Sequence, residues 1–152
     1  MTKPLLSIEN LRVVFGDTPA IDDLSFTLDR GETLVLAGES GSGKSLTALS
    51  VVRLLPSAAR VAGGRVLLDG EDLFRLPEHA MSRVRGARVG YVFQEPQVAL
   101  NPVMTVGDQI GEVLGWHLGL RGAARRQRVV EALAAVGIAE PARRAQEYPH
   151  QF

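Results

Sequence analysis

Gly38 to Ser45, read GESGSGKS, combines three glycines, a lysine and a terminal hydroxyl at spacings suited to wrapping the phosphates of a nucleoside triphosphate. A loop that turns its backbone N–H groups inward must visit positive φ, which glycine does cheaply, and must leave room for oxygens where a Cβ would stand. Gly38, Gly41 and Gly43 meet that need, and the main chain of Glu39, Ser40 and Ser42 completes the cradle. A helix opening near Gly43 adds unpaired N–H groups and the positive end of its dipole. Lys44 supplies a point charge for the β and γ phosphates. Ser45 offers its hydroxyl to Mg²⁺ bridging the same two groups. A nucleoside triphosphate with Mg²⁺ is the expected ligand.

The loop has the flanks that this chemistry requires. The apolar run Thr33 to Ala37 reads as a buried strand before it, and Leu46 to Leu55 reads as a helix after it. Average residue usage would produce such a motif by chance in about one chain in two hundred of this length, before any flanking context is asked for. Lys44 is one of only two lysines, with Lys3, in a chain otherwise rich in arginine, so a general use of lysine did not place it there.

Composition narrows the class. The chain of 152 residues suits one ordinary domain, and no stretch approaches the roughly eighteen uninterrupted apolar residues of a membrane span. The start, MTKPLLSIEN, lacks the apolar core of a secretory signal, and there is no cysteine for a disulfide, so a cytoplasmic location is expected. Net charge is zero but uneven: ten acids and seven bases through Asp72, seven acids and ten bases from Leu73 onward. The basic clusters, Arg83, Arg85 and Arg88, then Arg121, Arg125, Arg126 and Arg128, read as solvated helix faces or a protein-docking surface. No aromatics interleave with them as base stacking would want, which argues against nucleic acid.

Along the chain, Ser7 to Phe15 and Leu24 to Leu28 read as two antiparallel strands joined by the loop GDTPAIDD. Val66 to Leu68 is a further strand, and Asp69-Gly70 a hairpin turn. Pro77 opens a short helix through PEHAMSRVRG. Arg88 to Gln94 reads as a second buried strand, and EPQVALNP after it as a loop. Thr105 to Leu118 has helical spacing, with Thr105 as N-cap and Asp108 three residues on. Ala123 to Val136 is the next helix, ended by Gly137, and Ala142 to Tyr148 a third, stopped by Pro149. No internal repeat or low-complexity tract is present.

In this order, GESGSGKSLTALSVVRLLP, VGYVFQEPQVALNPVMTVGDQI and the closing YPHQF resemble the nucleotide-binding subunits of ABC transporters, most of all the oligopeptide, dipeptide and nickel importer branch. The resemblance covers nearly the whole chain. It implies an α/β fold: a P-loop NTPase (RecA-like) core with an antiparallel β subdomain and part of a helical subdomain, divided as residues 1–95 and 96–152. It implies that Phe15 stacks on adenine and that Gln94 reaches Mg²⁺ and the attacking water. Lys44 and Gln94 then count as catalytic, and Ser45 and Gln94 as metal-contacting. The implied partners are transmembrane permease subunits and a second ATP-binding subunit, at the cytoplasmic face of the inner membrane.

In that family YPHQF leads into a signature run resembling LSGGQ, then a strand ending in Asp-Glu, then a switch histidine. The sequence stops at Phe152, so the expectation is a chain cut just before the signature and incomplete at its C-terminus. Leu67-Leu68-Asp69 and Phe93-Gln94-Glu95 are poor substitutes for the acidic strand, and His79, His117 and His150 have no recognisable partner. Phosphoryl transfer to water rests on positioning and charge stabilisation, so hydrolysis by this chain alone is doubtful, while weak binding of MgATP, micromolar to millimolar, is expected if it folds. The alternatives are a non-catalytic fragment that at most binds nucleotide, and another P-loop NTPase, for which no guanine-reading motif is found.

Overall fold

A computed structural model describes residues 3–95 and 99–152, and its contacts divide the chain into two compact units, Met1–Val84 and Arg85–Phe152. The loop expected at EPQVALNP lies partly outside the described residues, at Pro96 to Val98.

In the first unit, β1 (Leu6–Phe15), β2 (Thr18–Leu28), β3 (Ala59–Leu68) and β4 (Glu71–Asp72) form an antiparallel sheet in the order β2-β1-β3-β4. β1 is central, and Ile8, Leu11, Val13 and Val14 are buried along it. The turn into β2 is only Gly16-Asp17, so β2 begins six residues before the expected Leu24. Pro19 is tolerated there because β2 is an edge strand, where a missing N–H costs no ladder bond. The acidic run after it is absorbed by bulges. Asp23 and Asn10 both take positive φ, and the Asn10 side chain donates to Asp23 Oδ1 at 2.6 Å while its backbone N–H donates to Ser25 Oγ at 2.8 Å. Asp69 and Gly70, at φ 53 and 81, make the expected hairpin turn.

Helix α1 (Lys44–Val51) packs on β3 and buries Val51. It ends four residues short of the expected Leu55, because Arg53 turns into the left-handed region at φ 53 and the chain closes with Leu54 N–H on the Leu49 carbonyl. The Arg53 guanidinium holds the carbonyls of Leu73 and Leu76 and pairs with Glu78 at 3.5 Å. Those bonds tie the end of α1 to the start of α2 (Glu78–Val84), which Pro77 opens as the sequence suggests.

Two segments expected to be buried strands are not strands. Residues 33–37 lie in no ladder among the described residues, and Leu34, Val35 and Leu36 are exposed. In Arg88 to Gln94 the only pairing among the described residues is an isolated bridge from Val89 to Arg85, and Val92 is 89% exposed. A strand exists only when a neighbour takes its N–H and C=O groups, and no described strand runs beside either segment. Hydrophobic runs identify what wants a partner. They do not supply one.

The second unit is helical: α3 (Val106–Leu118), α4 (Gly122–Ala135) and α5 (Pro141–Arg144), with Val129 and Leu133 of α4 at its core. Thr105 caps α3 as expected, its Oγ accepting from Asp108 N–H at 3.1 Å and donating to the Asp108 carboxylate at 2.8 Å. Two more first-turn N–H groups, of Val106 and Gly107, bond to the carbonyls of Glu147 and Ala145 in the segment that follows α5. Thr105→Ala is expected to cost about 1 kcal/mol of stability, read as a lower midpoint in chemical denaturation. α4 closes at Gly137, with Gly137 N–H on the Ala134 carbonyl and Ile138 N–H on that of Leu133. α5 is shorter than the expected third helix, and Pro149 opens a 3₁₀ turn instead of merely stopping a helix. On α4, the Gln127 amide and then Arg128 hold the Glu131 carboxyl below its ordinary range.

Candidate nucleotide-binding site

The Gly38–Ser45 loop is built as the glycines require. Gly41 and Gly43 take φ 85 and 90, and Gly43 is the left-handed N-cap from which α1 departs. A Cβ at Gly43 would stand 3.0 Å from the Ala20 carbonyl oxygen and 3.1 Å from Ile21 Cγ1, so glycine also lets the helix start seat against β2. That seat is not evident in the sequence, in which GDTPAIDD, with Ala20 and Ile21, reads as a loop. The Gly43 carbonyl takes the first helical bond from Thr47 N–H at 2.8 Å and a second from the Thr47 hydroxyl at 3.0 Å, which pins the turn from below.

The upper side of the loop is open. No side chain caps α1, its first turn carries no acid, and the N–H groups of Gly41, Gly43, Lys44 and Ser45 meet no acceptor among the described residues. Their cluster and the positive helix end suit an anion, which is the fit that a triphosphate needs. Ser45 is exposed beside them. Lys44 folds over the loop, and its Nζ donates to the carbonyls of Gly38 at 2.8 Å and Glu39 at 2.7 Å and to Ser42 Oγ at 3.3 Å. The ammonium is therefore already held above the ring of amides.

Phe15 ends β1 at 39% exposure. It lies two residues beyond Val13, and Val13 pairs with the same Ile21 that a Cβ on Gly43 would meet. At about 3.4 Å per residue, the ring's backbone lies about 7 Å along the strand from that contact. Phe15 and the loop thus share one end of the first unit. Gln94 belongs to the second unit and is exposed.

An antiparallel sheet, a glycine-rich loop opening a helix and a following helical unit define a nucleotide-binding cassette, and the comparisons agree. The chain belongs to the ABC transporter family, whose pattern it matches over residues 21–152. It is 48% identical to the peptidoglycan transport ATP-binding protein YejF of Agrobacterium fabrum, over 99% of this chain and 29% of that protein. It is 45% identical to the dipeptide transport ATP-binding protein DppD of Bacillus subtilis, over 97% of this chain and 46% of that one. A putative peptide import ATP-binding protein of Brucella abortus is 49% identical over 99% of this chain and 47% of its own length. The chain thus spans less than half the length of these relatives. In structure it superposes on the dimeric ABC transporter cassette MJ0796 with a TM-score of 0.78 and 26% identity, covering 97% of this chain and 62% of that one. The same cassette is also known in a post-hydrolysis state bound to ADP and Pi. The fold is that of an ABC cassette ATPase. No helix among the described residues is long and apolar enough to cross a membrane.

Proposed function

We propose that this chain binds MgATP on Gly38 to Ser45 and is part of the energy-coupling subunit of an importer for peptides. The observation that carries the reading is the ring of unpaired loop amides beneath a lysine held in place by its own loop. In it, the main chain of Gly38, Glu39, Ser40, Gly41, Ser42 and Gly43 surrounds the phosphates. Lys44 exchanges part of its hold on the loop carbonyls for phosphate oxygens. Ser45 would contact Mg²⁺, which when bound neutralises charge on the β and γ phosphates. Gln94 and Lys44 would serve the hydrolytic step. Phe15 lies against the adenine.

The peptide cargo is supported by relatives named as dipeptide and peptide transporters, and a second ATP-binding subunit by the dimeric cassette that the chain resembles. Membrane-spanning permease subunits complete the proposed machine, with this chain at the cytoplasmic face of the inner membrane. Titration of the full-length protein with MgATP tests the core of the reading, and failure to saturate at millimolar nucleotide would overturn it. Phe15→Ala is expected to weaken ATP by about 1–3 kcal/mol, roughly five- to 150-fold, while leaving inorganic triphosphate binding unchanged. Equal losses for both ligands would remove Phe15 from the adenine.

A further inference from the structure

Among the described residues, strand β3 is covered on one side along its length but on the other only at its end. β1 pairs with it from Ala59 to Leu68, whereas β4 reaches the outer edge at Leu67 and Leu68 alone. From Ala59 to Gly64 no described strand lies on that edge. The Ala59 N–H turns away from β1 and bonds to the Pro56 carbonyl at 2.8 Å. Main-chain groups alternate sides along an antiparallel strand, so Val61 turns its N–H and C=O to the same open edge. The Val61 N–H meets no acceptor among the described residues.

This edge is one wall of a cavity of about 520 Å³, with Phe74 and the end of α1 as the others. Two arginines line it and no acid does. Arg53 is committed to carbonyls and to Glu78. Arg60 is exposed and has no ion-pair partner among the described residues.

We propose that this edge receives a strand from another protein, an extended peptide segment carrying an acidic residue. Its main chain would supply the carbonyl and N–H that Val61 lacks, its carboxylate would meet Arg60, and an apolar side chain one face over would rest on Phe74. A second copy of this chain fits poorly. Two edges brought together would place two Arg60 charges in one acid-free groove, and like charges across strands are destabilising. Charged residues on sheet edges guard against self-pairing, and the same charge that repels a copy attracts an acidic strand. The groove uses no residue of the nucleotide loop, so its fate is separate from that of the ATP reading.

The test uses the full-length protein and a fluorescein-labelled short peptide of alternating Val and Thr with a central Glu, followed by anisotropy. Saturable binding is expected, with slowed exchange of the Val61 amide. N-methylation of the peptide amides facing one side should weaken binding at least about tenfold, whereas methylation of the alternate amides should not. Arg60→Glu should weaken it by a similar factor, and Arg60→Ala by less. Lys44→Ala should bind the peptide as the unaltered protein does. Absence of saturation at millimolar peptide, equal tolerance of both methylation patterns, or concentration-dependent dimers that protect Val61 without peptide would each overturn the proposal. The methylation comparison needs no protein variant, so a misfolded Arg60 substitution cannot leave the question open.

Discussion

Lys44→Ala in the full-length protein is expected to weaken MgATP binding by about ten- to several hundredfold with little change in thermal stability. The Lys44 ammonium donates to Gly38 and Glu39 carbonyls at 2.8 and 2.7 Å, so it is fixed over the loop before any phosphate arrives. Hydrogen bonds to charged groups contribute roughly 1.5–3 kcal/mol each, and one or two of them to phosphate account for the expected loss. The stability change is small because Gly38 and Glu39 are exposed, and water takes over their freed carbonyls. Lys44→Arg should not rescue binding, since a planar guanidinium cannot take the place of a compact ammonium with three rotatable donors. Calorimetric titration beside a melting curve separates the cases. Unchanged affinity in the alanine variant would remove the phosphate role from Lys44.

Gly64→Ala is expected to have the largest effect on folding, a loss of about 2–5 kcal/mol. A Cβ there would stand 2.5 Å from the Asn10 carbonyl oxygen and 2.6 Å from that of Glu9, and the residue has φ +88. The left-handed conformation costs roughly 1–2 kcal/mol for a residue with a Cβ, and overpacking adds about 1–3. The obstructing atoms are backbone of the central strand, so they cannot swing aside as a side-chain tip would. Gly63→Ala is the control: its Cβ would meet only Arg12 Cβ, at 3.9 Å, and its φ is not positive. It should cost about 0.5 kcal/mol or less. Equal denaturation midpoints for the two variants would show that β1 does not press on Gly64.

These sites differ in how much of them could be read from the chain. The glycine-rich turn into α1, the Asp69-Gly70 turn, the Thr105 cap and the Gly137 stop are all legible in the sequence, each depending on residues within a few positions of one another. Gly63 and Gly64, by contrast, look alike in sequence. Only the bulge of β1 at Asn10 makes one of them essential. The loop expected at GDTPAIDD became mostly strand because Pro and Asp are poor strand formers everywhere except at an edge and in a bulge, and edge position is not written locally.

What the sequence determined by itself is therefore the local pattern, a lysine, a hydroxyl and three glycines at the spacing of a glycine-rich loop that opens a helix, together with the membership of the ABC transporter family that the match over residues 21–152 bears out. Tertiary structure alone decided where Gly43 rests, against Ala20 and Ile21 on β2, and that Arg53 would reach Leu73 and Leu76. It also decided that residues 33–37 lie outside any described ladder despite their apolar pattern. The physical reason is range. Caps and tight turns are settled by bonds across three to five residues, whereas a strand's partner or a glycine's obstruction comes from segments tens of residues away, whose approach no local pattern encodes.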